Sequence, residues 1–117
     1  MGLFSNLSGA GGSGVDFITS EGSNANGHYR VWNSGLIEQW GEHVQGTTNI
    51  VTITLPIPFT SSVDYISAID AADGSIHQNV DNITNACGRD GASLTTIKIT
   101  SDAVTPVEST FWQVKGY

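Results

Sequence analysis

Between residue 27 and the end of the chain, apolar and polar positions alternate in short runs separated by turn residues at intervals of about ten. Three segments, 49–55, 93–100 and 109–117, alternate most cleanly. A period of two is typical of a half-buried strand, so we expect one set of side chains to face the core. The expected inward-facing residues are Val51, Ile53, Leu55, Ile97, Ile99, Trp112 and Val114.

Turn residues between these runs predict hairpins. His28–Trp32 and Leu36–Val44 flank the connection 33–35, in which Gly35 can take the positive φ that such a turn needs. Val63–Ala71 precedes an Asp-Gly turn at 73–74, and a strand from residue 76 to 80 or 83 is expected to return beside it. We therefore predict an all-β fold, an antiparallel β-sandwich of about seven or eight short strands.

Two further features bound this domain. Pro56 and Pro58 are expected to end the strand before them, since proline cannot donate to a sheet. A chain ending in Gly116-Tyr117 after an alternating run is expected to be tied into a sheet. Residues 1–26 are rich in Gly and Ser, which predicts a linker, a shaft remnant or an attachment segment, and residues 27–117 form the predicted β-sandwich domain.

The composition is consistent with this fold and excludes several classes of function. The chain has 117 residues and 14 Gly, with 13 Ser, 12 Thr and 8 Asn, a mixture that favours turns and strands over helices. Four basic against eleven acidic side chains give a net charge of −7, so no basic stripe exists for nucleic acid. No apolar run is long enough for membrane insertion, and no signal peptide is recognisable. Cys87 is the single cysteine and has no disulfide partner in the chain, which favours synthesis in a cytoplasm.

The sequence contains little that supports a catalytic or metal-binding site. The carboxylate pairs Glu38/Glu42 and Asp70/Asp73 have no pattern that places them in a cleft, and no serine has a nucleophile-elbow motif, so we expect no enzyme. No cofactor is implied. The histidines are not spaced as metal ligands, although a symmetric trimer could gather one per chain around its axis. They are His28, His43 and His77.

Aromatic residues in a polar background favour carbohydrate binding, because aromatic faces stack on sugar rings while amides, hydroxyls and carboxylates bond the hydroxyl groups. Trp40 and Trp112 lie in apolar runs and are predicted to be core residues. Loops on a β scaffold commonly carry recognition, and the polar stretch 73–90 is the expected loop region. The candidate receptor-binding residues are Tyr29, Trp32, Tyr65, His77, Asn79, Asp81, Asn82, Asn85, Arg89 and Asp90.

Three motifs resemble one known family. Residues 27–41 end in Gly-Leu-Ile-Glu-Gln-Trp-Gly, the stretch 55–59 is apolar around two prolines and a phenylalanine, and the chain closes on Phe-Trp-Gln-Val-Lys-Gly-Tyr at 111–117. In order and spacing these are similar to the C-terminal domain of bacteriophage tail fibres, the gp53-like C-terminal family. The resemblance covers residues 27–117, and Gln39-Trp40-Gly41 with the terminal motif is its most specific part.

The resemblance implies a β-sandwich tip domain of the virion, usually a homotrimer, that binds a host surface glycan or protein during adsorption. Oligomerisation also suits a small domain without disulfides, since one small core gives limited stability. Residues 1–26 would then contact other virion tail proteins. The alternative is a purely structural tail component that docks through residues 1–26 and touches no host.

Overall fold

A computed structural model describes residues 14–44, 50–71, 86–100 and 109–117. Eight strands and no helix occur within these ranges. The strands are β1 (Ile18–Asn24), β2 (Gly27–Trp32), β3 (Ile37–Val44), β4 (Ile50–Thr54), β5 (Val63–Ala71), β6 (Ala86–Arg89), β7 (Thr96–Thr100) and β8 (Ser109–Gly116). Accordingly, no helix in the described part of the chain is long and apolar enough to cross a membrane.

The strands form two antiparallel sheets. A five-stranded sheet has the order β1-β2-β3-β8-β5, and a three-stranded sheet has the order β4-β7-β6. Every pairing between described strands is antiparallel. The predicted all-β antiparallel sandwich is confirmed.

The core lies between the two sheets and contains the residues that the alternation predicts to face inward. Ile97 and Ile99 of β7 are fully buried, as is Val114 of β8, and Trp112 is 3% exposed. Ile53 and Leu55 face the same cluster, which Val51 joins while partly buried. Strands β4, β7 and β8 therefore present their predicted inward faces.

The β2–β3 hairpin forms as predicted. Gly35 has a φ of 93°, and the amide of Gly35 donates to the carbonyl of Trp32 at 2.9 Å. The amide of Trp32 in turn donates to the carbonyl of Leu36 at 2.8 Å. This tight turn sets β2 beside β3 and fixes which of their residues share a face.

The end of the chain is held by a cluster of backbone hydrogen bonds. The carbonyl oxygen of Tyr117 accepts from the amides of Thr60, Ser61 and Ser62 at 2.9, 2.6 and 2.9 Å, and the amide of Tyr117 donates to Ser62 at 2.9 Å. The predicted tie into a sheet is thus present. Because β8 lies between β3 and β5, this contact anchors an interior strand of the larger sheet.

Strand β1 lies inside the segment that the sequence predicted as a linker. It pairs with β2 from Ile18 opposite Trp32 to Asn24 opposite Gly27, and the side chain of Asn24 donates to the carbonyl of Pro56 at 2.8 Å. The part from 18 to 24 is therefore an edge strand. The boundary at residue 26 stays a prediction.

The second predicted hairpin cannot be followed to its end. Strand β5 spans Val63–Ala71 as predicted, but its expected return strand at 76–83 lies outside the described residues. Within the described residues β5 pairs with β8, from Val63 opposite Gly116 to Ala71 opposite Ser109.

Candidate functional site

The larger sheet turns one face to the core and the other away from it. Cross-strand partners share a face, so the register decides which side chains lie together. Three successive pairings, Arg30 with Glu38, Glu38 with Lys115 and Lys115 with Tyr65, trace one row across four strands. We call this side the outer face. Its members are Glu21, His28, Arg30, Trp32, Glu38, Trp40, Glu42, Tyr65, Ser67, Ile69, Phe111, Gln113 and Lys115.

A cleft of about 590 Å³ lies on the outer face and crosses strands β2, β3, β8 and β5. Apolar side chains form one part of its wall and polar side chains the other. Its lining side chains include Arg30, Glu38, Trp40, Ser67, Ile69, Phe111 and Gln113. This mixture of aromatic surface and polar groups is typical of binding sites.

Four charged side chains beside the cleft are paired within the chain. The carboxylate of Glu38 accepts from the indole Nε1 of Trp32 at 2.5 Å and lies 3.4 Å from the ammonium of Lys115. The guanidinium of Arg30 lies 3.5 Å from the carboxylate of Glu21. The charges on this part of the face are therefore neutralised by their own neighbours.

Trp40 was predicted to be a core residue, and the structure corrects that prediction. Its ring is partly buried on the outer face, stacked with the ring of His28 at a centroid distance of 5.7 Å. The guanidinium carbon of Arg30 lies 5.5 Å from the Trp40 ring centroid. Trp40 pairs with Gln113 across the β3–β8 register, which puts it on the side opposite Trp112.

Trp112 is the core residue that the sequence predicted. It is 3% exposed, and it lies opposite Gly41 in the β3–β8 register. A Cβ atom on Gly41 would come within 2.6 Å of the indole, so only glycine leaves room for this ring. The Gln-Trp-Gly motif therefore sends Trp40 outward and accommodates Trp112 inward.

A second, smaller surface lies at the turn between β6 and β7, which we call the turn cleft. It has a volume of about 190 Å³ and is lined by Arg89 and by the hydroxyl-bearing residues Ser61, Ser62 and Ser93. Arg89 is exposed, and no ion pair to it occurs among the described residues. The turn cleft therefore places the exposed guanidinium of Arg89 beside several hydroxyl groups.

Asp90 organises the turn behind that cleft. Its carboxylate accepts from the hydroxyl of Thr96 at 2.7 Å and lies 3.4 Å from the ammonium of Lys98. The Thr96 hydrogen bond, with Lys98 in support, lowers the pKa of Asp90. The hydroxyl of Ser93 also pairs with that of Thr96 at 2.7 Å. These contacts fix the loop that presents Arg89.

The predicted receptor-binding residues lie in separate places. Trp32 and Tyr65 are on the outer face, and Arg89 and Asp90 are at the end of β6 on the other sheet. Tyr29 points to the opposite side of β2, where its ring packs against β1. The structure does not bring these five together. The remaining five, His77, Asn79, Asp81, Asn82 and Asn85, lie outside the described residues.

The outer-face cleft is also lined by residues that the sequence did not predict as site residues. Ile69, Phe111 and Gln113 line it although none was proposed as a site residue. The alternation of the last strand had placed Phe111 and Gln113 on its outward side, which was the available signal. Among the described residues, no group of three or more His, Cys, Asp or Glu is arranged to hold a metal ion.

A known protein family matches most of the chain. The family model described as "tail fiber protein gp53-like, C-terminal" matches residues 30–117. No curated protein matches the sequence.

Solved structures with the same fold are pyocin tail fibres. An N-truncated R2-type pyocin tail fibre superposes with a TM-score of 0.65 at 23% identity, covering 94% of this chain and 41% of that one. The P. aeruginosa R2 pyocin fibre, residues 323–691, gives a TM-score of 0.63 at 24% identity, covering 88% of this chain and 26% of that one. An N-truncated R1-type pyocin tail fibre gives 0.60 at 21% identity, covering 97% and 94%. The chain thus spans less than half of the first two structures.

Proposed function

The chain belongs to the gp53-like family of tail fibre C-terminal domains, and on that premise we propose that it is a receptor-binding tip that attaches a phage or pyocin-type particle to a bacterial surface. The observation that carries this proposal is the family match over residues 30–117, supported by a tail fibre fold that covers 94% of the chain. The working state in this proposal is a homotrimer, with residues 1–26 meeting other tail proteins.

The turn cleft is the surface proposed to contact the receptor. Arg89 is exposed there and has no described ion-pair partner, unlike Arg30, Lys98 and Lys115, which lie within 3.5 Å of carboxylates. A guanidinium presents donors in a fixed fork, which suits oxygen-rich ligands. Arg89 belongs to the stretch 73–90 that the sequence singled out as a recognition loop, although residues 86–89 form strand β6 and not a loop.

A glycan fits this cleft better than a strongly anionic polymer. The chain carries a net charge of −7, so its long-range electrostatic interaction with an anionic surface is weak or repulsive. Recognition would instead rest on hydrogen bonds from Arg89 and from the hydroxyl of Ser62, because the hydroxyls of Ser61 and Ser93, which line the same cleft, already bond Tyr117 and Thr96. We propose binding without turnover, in which the receptor is held and not cleaved.

Equilibrium binding to whole bacteria tests the proposal. The intact protein, labelled at its N-terminus, is titrated onto a panel of strains that includes P. aeruginosa. We expect saturable binding to at least one strain, competed by unlabelled protein and lost when the cells are treated with periodate, which oxidises sugar diols. Loss after protease treatment instead would identify a protein receptor. Release of soluble sugar during incubation would contradict binding without turnover.

Arg89→Ala and Lys98→Ala form a matched pair for locating the contact. Each removes one positive charge from the same sheet, but Lys98 is already paired with Asp90. Hydrogen bonds to a charged group contribute about 1.5–3 kcal/mol, so Arg89→Ala is expected to weaken binding about ten- to a hundredfold. Lys98→Ala leaves the hydrogen bond from Thr96 to Asp90 in place and is expected to change receptor binding little. Equal losses in both variants would show a general charge effect and remove the turn cleft from the proposal.

A further inference from the structure

We infer that the turn cleft holds one acidic sugar residue of the receptor, whose carboxylate pairs with the guanidinium of Arg89. The inference rests on the proposed function, because it names the chemical class of ligand for the same surface. Its starting point is a cation without a counter-ion. Three of the chain's four basic side chains lie within 3.5 Å of a carboxylate, whereas Arg89 has no such neighbour in the part of the chain that the structure describes.

The acid next to Arg89 in the sequence is held by other partners. One carboxylate oxygen of Asp90 accepts from the hydroxyl of Thr96 at 2.7 Å, and the other lies 3.4 Å from the ammonium of Lys98. Arg89 pairs with Ile97 across β6 and β7, whereas Lys98 pairs with Gly88 and so belongs to the opposite face of the sheet. The negative charge of Asp90 is therefore offset by Lys98, and the guanidinium of Arg89 stays available to an external anion.

The turn cleft lies where the two sheets meet at one end of the sandwich. Ile97 is fully buried, so its cross-strand partner Arg89 leaves β6 on the side that faces the larger sheet. The opposite wall is the stretch 61–63, which leads into β5 of that sheet. Val63 and Leu94 supply apolar lining. A sugar ring fits such a cleft, because its C–H groups pack on apolar surface while its substituents meet polar groups.

Both walls of the turn cleft are held by backbone hydrogen bonds. The amide of Phe59 donates to the carbonyl of Leu94 at 2.8 Å, which ties the stretch before β5 to the turn before β7. The carbonyl of Tyr117 accepts from the amides of residues 60–62. A cleft whose walls are fixed before binding loses less conformational entropy when a ligand enters. This matters for a ligand as small as one sugar, which makes few contacts.

Size and charge restrict the ligand to one sugar residue with one negative charge. The cleft has a volume of about 190 Å³, below the roughly 300–1,000 Å³ of pockets that enclose drug-sized ligands. A phosphate monoester carries about −1.5 to −2 charges at neutral pH, more than one guanidinium offsets on a chain of net charge −7. A carboxylate carries one charge and accepts two parallel hydrogen bonds from the guanidinium fork. A uronic acid within an otherwise neutral glycan meets both requirements.

Heteronuclear NMR titration of the isotope-labelled, intact protein tests the inference. The probes are the methyl glycosides of glucuronic, galacturonic and mannuronic acid, each compared with its neutral uronamide. We expect at least one uronide to shift the side-chain N–H signal of Arg89 and the backbone amide of Ser62 in a saturable manner. Its uronamide should bind about tenfold or more weakly, because it keeps the ring and loses the charge. Arg89→Ala should abolish the difference between uronide and uronamide, and Lys98→Ala should preserve it.

Three results would overturn the inference. They are no shift near Arg89 from any uronide at tens of millimolar, equal affinity for a uronide and its uronamide, and tighter binding of a sugar phosphate than of every uronide. Adsorption to bacteria separates this inference from the proposed function. Saturable adsorption that no uronide inhibits would remove the acidic sugar and keep the receptor-binding role, whereas uronide binding at Arg89 without adsorption to any strain would keep the sugar site and contradict that role.

Discussion

Replacing Gly41 by alanine tests how the sandwich accommodates its one buried tryptophan. A Cβ at Gly41 would lie 2.6, 2.9 and 3.1 Å from the Cζ2, Cε2 and Nε1 atoms of Trp112. The indole has little room to move away, because Trp112 is only 3% exposed and is packed in the core cluster. The added methyl group must therefore shift the ring or the strands.

The expected loss of stability follows from two opposing terms. Inserting a methyl group into a packed core costs about 1–3 kcal/mol. Replacing glycine within a strand recovers about 0.5–1 kcal/mol, because the unfolded chain loses freedom. The free energy of unfolding should therefore fall by about 1–2 kcal/mol, which for a domain of this size lowers Tm by about 4–10 °C.

Thermal unfolding followed by near-ultraviolet circular dichroism measures this effect, with Gly88→Ala as the control. Gly88 also lies in a strand, but a Cβ there would have no neighbour within 4 Å, so its stability should stay equal or rise slightly. The double variant Gly41→Ala with Trp112→Phe should cost less than the sum of the two single changes, since the clashing atoms are gone. Equal Tm values for Gly41→Ala and Gly88→Ala would refute the steric argument.

Three further outcomes are expected. Deleting Tyr117 removes the acceptor for three amides at 60–62 and should lower the free energy of unfolding by about 1–3 kcal/mol; an unchanged urea midpoint would contradict the anchoring role. The pKa of Asp90 is lowered in the folded state by Thr96, so the stability it provides is present above its ordinary pKa of 3.8 and is lost as the pH falls further. Urea midpoints between pH 5 and about 2.5 should fall less steeply in Asp90→Asn than in the wild type, and parallel curves would count against this coupling. A monomeric variant of the proposed homotrimer should bind receptor-bearing cells about 10²-fold or more weakly through lost avidity alone, and undiminished adsorption by the monomer would show that multivalency is not used.

Alternation identified the core well, since in most strands one face is apolar and the other polar. Ile97 and Ile99 are both fully buried, as the pattern of their segment predicts. Trp40 escaped that logic because both faces of its strand mix apolar and polar residues, and only the pairing with His28 and Gln113 shows which way the ring points. Hydrophobicity alone cannot separate a core face from an exposed apolar face.

Strand β1 was missed for a different reason. Its segment contains Glu21, Gly22, Ser23 and Asn24, which have low strand propensity, and almost all of its side chains are exposed. It forms because the edge of β2 is open to pairing and the turn at 25–26 reverses the direction of the chain. Such a strand depends on its neighbour and leaves little periodicity in the sequence. The candidate residues also divide between the two sheets, since Trp32 and Tyr65 lie in the five-stranded sheet and Arg89 lies in β6 of the three-stranded one.

Binding of the intact, labelled protein to a panel of bacteria most directly tests whether the chain is a receptor-binding tip. The account predicts a saturable isotherm on at least one strain, weakened about ten- to a hundredfold by Arg89→Ala and little changed by Lys98→Ala. A folded assembly that adsorbs to no strain, or only without saturation, would contradict it and leave a structural role in the tail.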